Sequence, residues 1–304
     1  MAFLYWLEKI RMPVLNEFML GITYFGDEIA FLVTALILFW CVDKRKGYYL
    51  LSVGFIGTLA NQFMKLWFRI PRPWVVDENF TILEQAREAA SGYSFPSGHT
   101  QSAVGTFGAV AYTTKSKWIR WAAILIAVLV PLSRMYIGVH TPLDVSVAAV
   151  MALVLIVLLR PVILGNDGKY IPVILGIMTL LAIAFLCFVE FYPFPSDIEP
   201  HNFASGIKNG YTLTGCMAAL LVVYVVDRNW LHFPVRAVWW AQLMKIAGGL
   251  GLVLAVKSGM KMPLNALFGE SVGRAARYFL MVIVAGVLWP LTFRWFEKIG
   301  AKEK

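Results

Sequence analysis

The chain has 304 residues, of which 59% are hydrophobic and 15% charged, and its 27 Lys plus Arg outnumber its 18 Asp plus Glu to give a net charge of +9. Soluble globular chains run at about 45–50% apolar and about 25% charged, so a small binding module, a disordered chain and a nucleic-acid-wrapping protein are excluded. In a chain this apolar, the basic excess is read as the edges of membrane spans, and no nucleic-acid partner is expected.

At the N-terminus, Glu8, Lys9, Arg11 and Glu17 interrupt the apolar residues, which argues against a cleaved secretory signal. Phe3, Leu7, Ile10, Val14 and Phe18 recur at helical spacing. They predict an amphipathic helix, either lying in the membrane interface or packed as the first helix of a bundle. Apolar segments follow at roughly residues 28 to 42, 48 to 68, 98 to 114, 118 to 136, 143 to 164, 171 to 191, 210 to 226, 237 to 256 and 278 to 296, which makes nine candidate spans. Most approach the roughly 20 residues needed to cross a hydrocarbon core of about 30 Å. The first is the shortest, and Asp27, Glu28 and Asp43 bracket it like interfacial ends. Cys41, Cys187 and Cys216 all lie inside apolar runs without metal-ligand spacing. No repeat or linker divides the chain. The expected fold is all-α, a polytopic transmembrane helical bundle.

Short loops rich in Lys and Arg face the cytoplasm. Lys44, Arg45 and Lys46 fill one such loop, and Lys115, Lys117 and Arg120 another. With nine spans, Lys298, Lys302 and Lys304 fall on that same side. The opposite side receives the N-terminus, the segment from Arg69 to Pro96, the loop from Arg134 to Pro142, and the segments from Phe191 to Asn209 and Lys257 to Arg277. Lys257, Lys261, Arg274 and Arg277 run against the rule there.

Three loop-edge clusters on this opposite side hold residue types that are costly beside apolar helices. The first is KLWFRIPRP, with Lys65 at a helix end and Arg72 between two prolines. The second is Pro96, Ser97, Gly98 and His99, just ahead of a helical run. The third is SRMYIGVHTPLD, containing Arg134, His140 and Asp144. Each alone has an ordinary reading: a snorkelling lysine, a capping serine, a structural hydrogen bond at a helix start. Together they supply three cations, backbone donors at a helix N-terminus and two imidazoles, the inventory of a phosphate-ester site. Phosphoryl transfer needs positioning and charge stabilisation, which these groups can provide without a metal or other cofactor. Asp144 lies four residues after His140, so it can hold one ring nitrogen and leave the other as a nucleophile. His99 has no acid in its local sequence and suits the acid/base role.

In this order, Lys65, Arg72 and Pro73, then Pro96 to His99, then Ser133, Arg134, His140 and Asp144 resemble the signature of the type 2 phosphatidic acid phosphatase superfamily, with no departure at any signature position. The resemblance implies His140 as nucleophile, His99 as acid/base and Asp144 as its orienting partner. Lys65, Arg72, Ser97, Gly98 and Arg134 are then the phosphate cradle. It also implies a core six-helix phosphatase domain over residues 28–191 and does not cover the rest, where residues 1–27 are read as an N-terminal amphipathic, interfacial helix and 192–304 as a three-helix transmembrane extension packed on the core. The expected activity is hydrolysis of a lipid phosphate monoester or diphosphate at the extracytoplasmic face of a bacterial cytoplasmic membrane, with membrane lipids and the lipid substrate as partners. Nine spans with an outward N-terminus are similar to the glucose-6-phosphatase branch, so a sugar phosphate is the alternative substrate. A lipid phosphotransferase, a vanadate-dependent haloperoxidase and a non-catalytic lipid-binding or transport protein are further alternatives. Two other features stand apart from the signature: Lys245 near Gly248, Gly249 and Gly251, read as packing ahead of headgroup contact, and Asp197, Glu199 and His201, read as a solvated loop ahead of a lid.

Overall fold

A computed structural model describes residues 1–87, 90, 92–196 and 198–299. Helices and turns account for all of its regular structure, and the described residues contain no β-strand. The chain opens with α1 (Ala2–Lys9) and α2 (Pro13–Thr23), the latter started by a proline at its first turn. Leu4 and Leu7 of α1 are buried while Phe3, Trp6 and Ile10 stay exposed. The helix therefore packs on protein with one face and presents an apolar face outward, and the single helix expected through Phe3 to Phe18 is instead two, separated by an extended Met12 ahead of Pro13. A 3-10 turn at Tyr24–Gly26 leads into α3 (Glu28–Ile37), which continues as a π-helical turn at Leu38–Val42.

Next come α4 (Lys44–Phe68), the short α5 (Pro73–Val76), α6 (Gly98–Thr113), α7 (Lys117–Tyr136), α8 (Pro142–Leu164) and α9 (Ile171–Phe191). Ser97 and Ser116 cap α6 and α7 by accepting from the backbone N–H three residues on. The chain then forms α10 (Pro200–Val226), α11 (Trp239–Gly259), α12 (Lys261–Ile283) and α13 (Phe293–Ile299). α12 is kinked at Gly269, whose φ of 77° lies in the left-handed region.

All nine apolar segments lie in helices, though fewer meet the length and composition of a complete span. Among the described residues, six helical stretches are long and apolar enough to cross a membrane, and a seventh is reached if Pro13–Gly26 and Glu28–Val42, bent by 52°, count as one. α6 has 16 residues, about 24 Å of helix, and its Gly, Ser, Thr and Gln residues dilute its hydropathy. α4 is long enough at 25 residues but begins with three cations. Leu143, Val150, Leu153, Val157 and Leu158 of α8 are exposed, as expected of a surface solvated by lipid. The protein is an integral membrane protein.

Compact unit 1 comprises residues 1–32, 56–160 and 196–205, and unit 2 comprises 33–55, 161–195 and 206–304. In unit 1, α6 and α2 both pack on α7. A core cluster there joins Leu4 and Leu7 to Phe80, Ile82, Met135, Tyr136, Ile137 and Val139. It ties the N-terminal helices and the loop after α5 to the end of α7. In unit 2, Lys245 is fully buried and donates to the carbonyls of Trp40 (2.8 Å) and Val235 (3.1 Å), with the Phe293 ring 4.1 Å away. The π-helical turn at Leu38–Val42 supplies the first of those acceptors, so the packing contacts of Lys245 are explained within the unit.

Candidate active site

α4 carries Lys65 in its last turn, where Nζ donates to the Tyr93 carbonyl. Arg69 then adopts a left-handed φ of 50° and accepts the role of helix terminator, its N–H donating to Lys65 O at 3.0 Å. Three residues later Arg72 is 6% exposed. Its Nε donates to Gly92 O at 3.0 Å and its Nη1 to Val139 O at 2.9 Å, and the same Nη1 stands 2.9 Å from His140 Nε2. A guanidinium has donors only. His140 Nε2 must therefore hold a lone pair, which places the proton of the neutral ring on Nδ1.

The Ser97 to His99 turn is held from several directions. Ser97 N donates to Asp144 O at 3.1 Å, Ser97 Oγ accepts from Thr100 N at 3.4 Å, and Asn61 Nδ2 donates to Pro96 O at 3.3 Å. The first turn of a helix leaves N–H groups without intrahelical partners. With those of Ser97 and Thr100 occupied, the orphan donors are the N–H groups of Gly98 and His99, at the positive end of the α6 dipole.

α7 delivers Arg134 in its last turn, 1% exposed, with Nη1 donating to Thr23 Oγ1 at 2.7 Å and a buried Nε that has no hydrogen-bond partner among the described residues. Past Tyr136 the backbone closes on itself: Gly138 N donates to Met135 O and Val139 N to Arg134 O, both at 3.1 Å. Gly138 has a φ of 89°, and a Cβ there would come within 2.8 Å of Arg11 Nη2 and 3.1 Å of both Phe80 Cε1 and Thr81 O. Gly138→Ala is expected to destabilise the fold by about 1–3 kcal/mol and to lower activity with it, since His140 follows two residues on. Thermal unfolding of the detergent-solubilised variant checks this.

His140 and Asp144 are each 1% exposed. His140 Nδ1 lies 3.5 Å from Asp144 Oδ2. That oxygen accepts instead from Ser94 Oγ at 2.6 Å and Thr141 N at 2.8 Å. The expected carboxylate–imidazole pair stands at ion-pair distance, longer than an ordinary hydrogen bond. Burial, and then the nearby Arg72, Arg134 and Lys65 charges, holds the His140 imidazole well below its usual pKa, so the ring is neutral at physiological pH.

All eight residues singled out in the sequence, Lys65, Arg72, Ser97, Gly98, His99, Arg134, His140 and Asp144, belong to unit 1. The structure adds others. His99 Nε2 is 2.8 Å from Asp27 Oδ1, so this histidine has an acid after all, 72 positions earlier in the chain. Thr23 holds Arg134, Ser94 holds Asp144 and Asn61 holds the Pro96 carbonyl. Asp27 was legible only as an interfacial acid on the site's side of the bundle; the other three had no signal. Glu199 caps the start of α10, accepting from Asn202 N at 2.7 Å and His201 N at 3.2 Å; Asp197, Lys302 and Lys304 lie outside the described residues. Among the described residues no group of three His, Cys, Asp or Glu gathers at metal-ligand spacing.

Residues 45–167 match the family profile of the PAP2 superfamily, and residues 211–302 match that of the PAP2 superfamily phosphatase transmembrane extension. The chain is 32% identical over 174 residues to phosphatidylglycerophosphatase B of Bacillus subtilis (strain 168), covering 53% of this chain and 79% of that protein. The chain belongs to the PAP2 superfamily. It is also similar to undecaprenyl-diphosphatase BcrC of the same organism, 29% identical over 144 residues and covering 47% of this chain and 72% of that one. A crystal structure of the first transmembrane PAP2 type phosphatidylglycerolphosphate phosphatase from Bacillus subtilis is similar with a TM-score of 0.45 and 31% identity, covering 55% of this chain and 84% of that one. Within this PAP2 chain the span matched at 45–167 contains all three signature clusters, while Thr23 and Asp27 precede it.

Proposed function

We propose that this protein is an integral membrane phosphatase that hydrolyses the phosphate monoester or diphosphate of a lipid at the extracytoplasmic face, through a phosphohistidine intermediate and without a metal ion. The observation that carries the reading is the buried His140 ring, whose Nε2 lone pair faces Arg72 at 2.9 Å while Nδ1 faces Asp144 at 3.5 Å. A neutral imidazole so oriented is a nucleophile whose charge, once it forms, is met by a carboxylate.

Arg72 Nη1 donates to the lone pair of the nucleophile, His140 Nε2. An entering phosphoryl group offers Arg72 better acceptors, its anionic oxygens, and so frees Nε2 for in-line attack. As the Nε2–P bond forms and the P–O bond breaks, the equatorial oxygens are met by Arg72, Arg134, Lys65 and the orphan N–H groups of Gly98 and His99. The Ser97 hydroxyl, which accepts from Thr100, still has a proton to donate to the same oxygens. The negative charge of the bound phosphoryl group draws a proton onto His99, and the leaving oxygen takes that proton from the imidazolium. Neutral His99 then removes a proton from water, the hydroxide displaces His140 from phosphorus, and inorganic phosphate leaves with both histidines restored.

A lipid substrate is supported by the two curated relatives, whose names describe a phosphatidylglycerophosphatase and an undecaprenyl-diphosphatase. The basic loops at Lys44–Lys46 and Lys115–Arg120 support the outward-facing site. The reading is tested by phosphate release from purified, reconstituted protein in the presence of a chelator, using phosphatidic acid, phosphatidylglycerol phosphate, undecaprenyl diphosphate, a sphingoid phosphate and glucose 6-phosphate. Release from one or more of the lipids is expected. Turnover that disappears with chelator, or that is confined to glucose 6-phosphate, overturns it.

A further inference from the structure

The three signature clusters account for the phosphate cradle and both histidines, yet two of their side chains are held from a fourth place in the chain. The turn joining α2 to α3 passes over the start of α6. Gly26 in that turn lies so close that a Cβ on it would come within 2.9 Å of both His99 Cβ and Val130 Cγ1 and 3.0 Å of His99 O. On either side of this contact, Thr23 Oγ1 accepts from Arg134 Nη1 at 2.7 Å and Asp27 Oδ1 meets His99 Nε2 at 2.8 Å. Both residues precede the span that matches the family profile.

We propose that Asp27 is the positioning residue for the acid/base histidine of this site, with Thr23 and Gly26 holding the turn that presents it. The proposal rests on the phosphatase reading above. Asp27 on Nε2 fixes the tautomer that leaves Nδ1 as the titrating nitrogen. In the first chemical step the Nδ1 proton passes to the leaving oxygen as that oxygen takes the electron pair of the breaking P–O bond. In the second, Nδ1 accepts a proton from the attacking water. The carboxylate supports the imidazolium in the first and releases the neutral ring in the second. Its opponents are first the burial of the ring, then the cations Arg134 on α7 and Arg72 ahead of α5, with the His140 ring also nearby. Asp27 is the acid paired with His99, and without it the imidazolium faces like charge. The Asp27 and His99 side chains are 37% and 20% exposed, so the pair also has water within reach to restore its proton.

Removing the carboxylate makes His99 a stronger acid that is less often protonated. The alkaline limb of the kcat profile of Asp27→Asn is therefore expected to move toward lower pH. Turnover of a substrate whose leaving oxygen needs a proton, an alkyl or lipid phosphate, is expected to fall about 10- to 100-fold. A phosphate ester with an acidic phenol as leaving group needs no such proton and is expected to fall less than about threefold. Asp27→Glu restores part of the loss. Equal losses on both substrates with an unmoved pH profile overturn the proposal, because a merely structural residue would give that result. A second readout does not depend on turnover. The chain has four histidines, so histidine-selective 15N labelling gives a spectrum in which His99 is assigned by a His99→Gln variant. The His99 titration is expected at lower pH in Asp27→Asn, with His201 and His232 unmoved, and an unmoved His99 overturns the proposal even in an inactive preparation. Absence of phosphate release from the wild-type protein, with the His99 shift present, instead overturns the phosphatase reading and leaves the pair standing.

Discussion

His140→Ala is expected to release no phosphate above background from any lipid that the wild-type protein hydrolyses, a loss of at least about 10⁴-fold in kcat. The size follows from its position. Removing the nucleophile eliminates the covalent route itself, and the remaining cradle of cations and helix donors can only bind the anion and polarise it. Removing the ring also frees Arg72 from its contact at 2.9 Å, so inorganic phosphate or vanadate should bind the variant at least as well as the wild type. Loss of turnover with retained anion binding, read as retained thermal stabilisation by vanadate, separates loss of the nucleophile from loss of the fold. An active variant would remove His140 from the mechanism. The pH dependence has a definite sign. Because the folded pKa of His140 is depressed, the free protein keeps its nucleophile neutral well below pH 6.5, and the acid limb of kcat/KM should lie below the ordinary histidine range. The same shift links to stability. The unfolded state binds the proton more readily, so the contribution of His140 to stability is complete above about pH 6.5 and declines as pH falls below it.

Arg134→Lys is expected to lower kcat/KM by about 10²–10³-fold, roughly 3–4 kcal/mol of transition-state stabilisation. Lysine keeps the charge but loses the planar fork. One arm of that fork already holds Thr23 Oγ1 at 2.7 Å while the buried Nε has no partner among the described residues. A single ammonium cannot serve both sides. Arg134→Met offers a contrasting measurement. An arginine that is 1% exposed and waiting for an anion is a desolvated charge, and replacing it with an apolar chain of similar volume is often neutral or stabilising. The methionine variant should therefore be inactive while melting at or above the wild-type temperature without ligand, and it should lose the stabilisation that vanadate gives the wild type. A variant that melts much lower would instead assign Arg134 to the fold.

Much of this site was legible because its residues are expensive where they stand. Lys65, Arg72, Arg134, both histidines and Asp144 occupy a chain with few charges, and their spacing follows from short local turns that sequence can encode. The pairing of His140 with Asp144 could be read from a four-residue separation across a helix start. Asp27 could not, since its contact with His99 arises from packing of a turn against a helix that begins, at Gly98, 72 residues after that turn ends at Gly26, and no local pattern reports it. Ser94 and Asn61 were hidden for the same reason. The helices themselves were evident from apolar runs, but how many cross the membrane was less so. α6 is apolar enough to be noticed, yet it is short, and its surface is satisfied by α7 more than by lipid.

The contact between Thr23 and Arg134 spans 111 positions of chain. At about 5–20 residues per second of synthesis, the threonine waits roughly 6–20 s on the growing chain before its arginine exists. Asp27 likewise waits for His99. The contacts of Arg134 and His99 with the earlier turn thus form only after the helices made first have waited for their later partners. A bulky insertion beside the Thr23–Asp27 turn is, for that reason, expected to disturb assembly of these contacts.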